Sequence, residues 1–159
     1  MPLKIVFMGT PEFSVPTLEA LIKNRFNIIS VYTQPPAKSN RGQKINVSPI
    51  EEFSKKNKID FRNPTNLKTE EEFGIFKKLE PDIVAVVAYG QMIPKFFLNI
   101  PRFGFINIHA SLLPKWRGAA PIQRAIMNGD KTIGVSIMKI EEKLDSGPVL
   151  STKKIELNQ

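Results

Sequence analysis

Apolar residues run along this chain in short, nearly unbroken blocks, and the earliest blocks alternate with stretches of helical spacing. Leu3 to Met8 reads as a buried strand closed by Gly9, and Val15 to Ile22 has the apolar recurrence and Ala/Leu content of a helix. Ile28 to Tyr32 is the next strand. Thr33 to Pro49 is polar and broken by proline and glycine, which predicts an exposed irregular loop. Helices are expected over Ile50 to Lys56 and Glu70 to Leu79, the second starting under Thr69, with a short strand near Ile59 to Phe61 between them. Ile83 to Ala88 is almost wholly apolar and β-branched, the composition of a central parallel strand covered on both faces. Met92 to Leu98 predicts a short helix, Gly104 to Ile108 a buried strand and Pro121 to Met127 a further helix. Ile133 to Met138 and Val149 to Ile155 are extended, and are expected to close the fold antiparallel rather than as another βαβ unit. The rhythm is that of an α/β fold.

At 159 residues, 42% of them hydrophobic, the chain suffices for one compact domain and is short for two with separate cores. No stretch reaches the length of a membrane span, and the start has no long apolar segment of the kind a secretory leader needs. Without cysteine there is no disulfide framework, thiol nucleophile or thiolate metal site. The 23 basic residues against 15 acidic ones give a formal charge of +8, which favours encounters with polyanions. Two acid-free stretches sharpen this: residues 28–50 carry Lys38, Arg41 and Lys44, and residues 95–124 carry Lys95, Arg102, Lys115, Arg117 and Arg124. They form either one basic face or two solvated surfaces that never meet. The sequence stops two residues after Leu157 with no closing helix, so an incomplete fold is expected.

In α/β sheets ligands sit at the carboxyl ends of the strands, which singles out Tyr89-Gly90, Asn107-Ile108-His109 and the loop near Asp145. Asn107 and His109 flank Ile108, so a regular strand there puts both side chains on one face. His109 is the only histidine, and with a reference pKa of about 6.5 it suits proton exchange at neutral pH. Its plain alternative is a hydrogen-bonded loop histidine. Asp145 either orients His109 or caps an Asx turn in Leu144-Asp145-Ser146-Gly147. Asn107 either stabilises an oxygen gaining negative charge or bonds the backbone at a strand end. Ser111 has no G-x-S-x-G elbow, and Gly9-Thr10-Pro11 lacks the dinucleotide and P-loop glycine patterns. Serine hydrolysis and NAD or ATP binding therefore do not follow, and no metal is expected.

The segment Asn107-Ile108-His109-Ala110-Ser111-Leu112-Leu113-Pro114-Lys115-Trp116-Arg117-Gly118-Ala119-Ala120-Pro121-Ile122-Gln123 closely resembles the formyltransferase signature, that of the methionyl-tRNA formyltransferase family in particular. Phe7-Met8-Gly9-Thr10-Pro11-Glu12-Phe13, Thr33-Gln34-Pro35, Ala88-Tyr89-Gly90-Gln91 and Leu144-Asp145-Ser146-Gly147 match that family in order, so the resemblance covers nearly the whole chain. It implies a Rossmann-like formyltransferase domain with a mostly parallel sheet and helices on both faces. Residues 1–159 would be the incomplete N-terminal catalytic part, without the family's C-terminal tRNA-binding β-barrel. The implied reaction moves a formyl group from the cosubstrate 10-formyltetrahydrofolate to the α-amino group of methionyl initiator tRNA. This serves translation initiation in the cytoplasm, and the full-length parent would be monomeric.

Carried over residue by residue, the resemblance puts the catalytic triad on Asn107, His109 and Asp145. His109 and Asp145 would manage proton transfer, and Asn107 would stabilise the tetrahedral intermediate. The folate would lie along Val87, Ala88, Tyr89, Gly90 and Gln91 and against Ile140 and Lys143 in the loop before Asp145. The loop after the second strand would meet the tRNA acceptor end through Lys38, Arg41, Gly42 and Lys44, with Arg117 and Arg124 extending that surface. Two positions depart from the family: Pro36 replaces a frequent acid, and Lys143 replaces a glycine that commonly precedes Leu-Asp. Lysine tolerates positive φ poorly, so Lys143 is expected to narrow the folate loop or alter its turn. The alternatives are a formyltransferase for a small amine such as glycinamide ribonucleotide, and an inactive RNA-binding or interaction fragment.

Overall fold

The computed structural model describes residues 2–39 and 44–157, and only the backbone at 38, 39 and 44. The chain forms two compact units, Met1–Gly104 and Phe105–Gln159.

In the first unit β1 (Lys4–Gly9) passes through a 3-10 turn (Glu12–Ser14) into α1 (Val15–Lys23) and returns as β2 (Asn27–Tyr32). The expected irregular loop instead contains two short strands, β3 (Ala37–Ser39) and β4 (Lys44–Asn46), paired antiparallel with Ala37 opposite Asn46. Pro35 and Pro36 lie just before β3, so the missing amides fall outside the ladder. Next come α2 (Pro49–Lys56), β5 (Phe61–Arg62), α3 (Glu70–Leu79), β6 (Ile83–Val87) and α4 (Lys95–Leu98). The helix expected from Met92 begins only at Lys95, because Pro94 is its N-cap and disfavours helical geometry in the residue before it. Strands β5, β2, β1 and β6 lie side by side and all parallel, with Phe7 opposite Val31 on one side and Ala85 on the other.

Both longer helices after β2 start on a hydroxyl cap. Ser48 Oγ accepts the Glu51 amide at 3.0 Å, and Thr69 Oγ1 accepts the Glu72 amide at 3.2 Å. Glu72 takes both arms of Arg62 at 2.9 and 2.8 Å, and Glu51 takes Lys55 at 2.7 Å and Asn63 at 3.0 Å. Beneath them Val6, Phe7, Met8, Leu18 and Phe76 are fully buried. The Phe76 ring lies 4.8 Å from Phe97 and meets Tyr32 edge-on at 5.8 Å. That aromatic cluster joins α3 and α4 to β2.

The second unit holds β7 (Phe105–His109), α5 (Pro121–Met127), β8 (Thr132–Lys139) and β9 (Val149–Glu156). β8 runs antiparallel to β7, with His109 opposite Ser136, and β9 runs antiparallel to β8, as the closing segments predicted. Phe105, Ala125 and Met138 form its buried apolar centre. Among the described residues no helix is long and apolar enough to cross a membrane.

Candidate active site

His109 ends β7 and is 7% exposed. Its Nε2 lies 2.9 Å from the Trp116 carbonyl oxygen. A carbonyl only accepts, so Nε2 is the donor there. The other nitrogen, Nδ1, faces Asp145 Oδ2 at 3.6 Å, and the same oxygen accepts the Gly118 amide at 2.8 Å. A neutral imidazole in this tautomer turns a lone pair toward the carboxylate, whereas an imidazolium donates to Trp116 O and faces Asp145 as an ion pair. The arrangement sets one imidazole against one carboxylate. Asn107 lies two residues back on the same strand face, half-buried and opposite Met138 in register.

The cradle depends on the loop after β7 curling back on itself. Trp116, Gly118, Ala120 and Asp145 all have positive φ, at 58°, 83°, 51° and 46°. Two buried serines pin the loop. Ser136 Oγ on β8 donates to Ser111 O at 2.7 Å and accepts the Leu113 amide at 3.0 Å, and Ser111 Oγ donates to Lys115 O at 2.6 Å. Asp130 anchors the far end, accepting Lys115 Nζ and Trp116 Nε1, both at 2.7 Å. Hydrogen bonds from Lys115, Asn128 and Trp116 hold its carboxyl down to about 2. Two cations lie over the Trp116 ring, Arg124 at 5.1 Å and Lys115 at 5.3 Å from its centroid.

In the first unit β6 ends at Val87, one residue earlier than expected, because Ala88 turns to φ 48°. Tyr89 is buried, Gly90 has φ 85°, and Gln91 Nε2 donates to Pro64 O at 2.8 Å. A Cβ on Gly90 would displace the Gln34 side-chain amide, and the positive φ there favours glycine. Burial, and then the charge of Glu72, push the Tyr89 hydroxyl well above the ordinary phenol range.

Of the residues singled out in the sequence, His109 and Asp145 come together, and Asn107 shares the His109 face. The Ile140 amide is committed to Phe105 O at 2.9 Å. Lys143 does not take positive φ; the left-handed residue of this loop is Asp145, a residue type that tolerates it better. Lys143 is exposed and its carbonyl accepts Ser146 Oγ at 2.9 Å. Arg117 is exposed, and among the described residues no acid pairs with it; its carbonyl accepts from Arg124 at 3.1 Å. Lys38 and Lys44 lie on β3 and β4, and Arg41 and Gly42 fall outside the described residues. The Trp116 carbonyl, the Gly118 amide and Ser136 were not foreseen. Gly118, at the end of Trp-Arg-Gly, was the one available signal; a backbone carbonyl carries none.

A family model described as formyl transferase matches residues 3–159. The chain is 60% identical over 158 residues to the methionyl-tRNA formyltransferase of Pelagibacter ubique (strain HTCC1062), covering 99% of this chain and 51% of that protein. It is 48% identical over 157 residues to the methionyl-tRNA formyltransferase of Clostridium novyi (strain NT), covering 98% of this chain and 50% of that protein. It thus spans about half the length of these relatives. Among solved structures, phosphoribosylglycinamide formyltransferase from Bacillus halodurans superposes with a TM-score of 0.76 at 21% identity, over 98% of this chain and 81% of that one. A formyltetrahydrofolate deformylase from Pseudomonas syringae pv. tomato does so with a TM-score of 0.76 at 23% identity, over 99% and 52%. These two likenesses establish the α/β fold.

Proposed function

Because this chain belongs to the formyl transferase family, we propose that it carries the chemistry that moves a formyl group from 10-formyltetrahydrofolate to the α-amino group of methionyl initiator tRNA. The observation that carries the proposal is the His109 cradle, in which Trp116 O, Gly118 N and Asp145 fix one imidazole and one carboxylate for holding a proton. Such transfer needs a group of that kind: the amine nitrogen bonds to the formyl carbon, the donor's N10–carbon bond breaks, and a proton leaves the amine while one arrives at N10.

The bound donor supplies an activated formyl carbon and a nitrogen leaving group. Its fit is supported at residues 87–91, where exposed Ala88 and Gly90 flank the buried Tyr89. Backbone groups there can read a flat heterocycle; in the second unit, Ile140 and Lys143 are proposed as donor-binding residues. His109 takes up the amine proton, and Asp145 stabilises the resulting imidazolium until the proton is delivered. Asn107 donates its carboxamide N–H to the oxygen that becomes negative in the tetrahedral intermediate. Lys38, Arg41, Gly42, Lys44 and Arg117 are proposed to meet the tRNA. Translation initiation places this activity in the cytoplasm.

The test measures formyl transfer from 10-formyltetrahydrofolate to methionyl initiator tRNA and, in parallel, to glycinamide ribonucleotide. It uses this chain and the same chain extended to the end of its natural reading frame, after both are shown to be folded. Transfer to the tRNA alone is the expected result. Transfer to the small amine alone would move the chain to the other acceptor class, and binding of acceptor-stem RNA without transfer in either length would make it a binding fragment.

A further inference from the structure

Two of the matching segments, Phe7–Phe13 and Thr33-Gln34-Pro35, have no part in the chemistry above. In the first unit they meet the Ala88–Gln91 segment at the carboxyl ends of β1, β2 and β6. Thr10 Oγ1 donates to Tyr89 O at 2.7 Å and accepts the Gln34 amide at 3.2 Å. Ser14 Oγ donates to Val87 O at 2.7 Å and accepts the Thr10 amide at 3.3 Å. Two hydroxyls thus take the carbonyls on either side of Ala88, and both belong to the turn after β1.

The consequence shows in the burial pattern. Val87 and Tyr89 are buried while Ala88 and Gly90 are exposed, and both exposed residues are held at positive φ. An alanine adopts that conformation poorly by itself, so neighbouring bonds must hold it there. The bond from Thr10 to Tyr89 O is the nearest one on the far side of Ala88. A single atom acting as donor to one strand end and acceptor from another calls for a hydroxyl, which neither an apolar nor a purely accepting side chain replaces.

We propose that Thr10 is a positioning residue for the donor loop: its hydroxyl turns the Tyr89 carbonyl inward and ties it to Gln34, holding Ala88 and Gly90 in the shape that receives the pterin ring. This rests on the assignment of residues 87–91 to the formyl donor. Thr10 acts through that loop and is assigned no contact with the reacting atoms.

The experiment is steady-state transfer by the intact enzyme carrying this chain, with 10-formyltetrahydrofolate varied at saturating methionyl initiator tRNA. Thr10→Val keeps the side-chain shape and removes both bonds. It is expected to raise the donor KM about ten-fold with kcat within about two-fold, while Thr10→Ser restores the donor KM to within about two-fold. Should Thr10→Val not yield folded protein, Thr10→Ala is read in the same way. A donor KM unchanged by loss of the hydroxyl, or a serine variant as impaired as the valine one, overturns the proposal. Hydrogen exchange at residues 87–91 of the unaltered enzyme, with and without 10-formyltetrahydrofolate, separates it from its premise. No protection by the donor overturns the donor-site assignment and the proposal with it. Protection together with a normal KM in Thr10→Val overturns the role of Thr10 alone.

Discussion

Asp145 serves two neighbours with one oxygen, and substitution can separate them. Its Oδ2 accepts the Gly118 amide at 2.8 Å and faces His109 Nδ1 at 3.6 Å. Asp145→Asn keeps a carbonyl oxygen for Gly118 but no charge to stabilise an imidazolium, so it is expected to fold normally and to lose about 10²-fold or more in kcat. Asp145→Ala loses the loop bond as well and should in addition unfold about 1 kcal/mol more easily in denaturant. An asparagine variant as fast as the parent would remove charge from the mechanism. Asn107→Ala should cost a comparable 10²- to 10³-fold in kcat, as loss of one oxyanion donor does, with the donor KM little changed. Asp130 is a stability group by contrast. Lys115, Asn128 and Trp116 hold its carboxyl at about 2, below the reference 3.8, so its stabilisation is complete above about 4 and disappears as pH falls through about 2. Asp130→Asn should therefore be less stable than the parent at neutral pH, with the gap closing near pH 2 in denaturant titrations.

Elements with punctuated ends were legible in the sequence. α3 starts under Thr69, whose hydroxyl caps the Glu72 amide, and Glu70, Glu71 and Glu72 all lie in its positive first turn. Thr69→Ala should cost about 1 kcal/mol, read from the urea midpoint at constant slope, whereas Thr69→Ser should cost far less. α5 and the antiparallel closure of β8 and β9 were equally readable, because apolar runs and proline mark them. β3 and β4 were not, since three-residue strands carry too few positions for periodicity to show. The same limit divides the site. Asn107 and His109 could be placed on one face from alternation alone, while the Trp116 carbonyl that fixes the imidazole belongs to the backbone and has no residue-type signature. The left-handed residue of the loop holding Lys143 had no signature for a related reason: φ is set by the loop as a whole, which puts it at Asp145.

At the scale of the molecule, the excess of 23 basic over 15 acidic residues raises the question whether the proposed attraction to tRNA is diffuse or localised. Salt dependence distinguishes the two. Each phosphate neutralised by a lysine or arginine lowers the slope of log affinity against log salt by about 0.7 to 0.9, whereas a diffuse field is weakened evenly by loss of any cation. If the acid-free stretch 28–50 carries the contacts, the double variant Lys38→Ala, Arg41→Ala should flatten the slope for methionyl initiator tRNA by about 1.4 to 1.8. The weakening should be largest at low salt, with kcat at saturating tRNA preserved. Lys153 and Lys154, exposed on β9, provide the matched control, because replacing both by alanine removes the same charge from a strand given no part in the contact. Equal slopes in the two double variants would mean that net charge alone attracts the tRNA and that the β3–β4 segment is not its binding surface. Flattening in the first variant only would localise the contact to that segment.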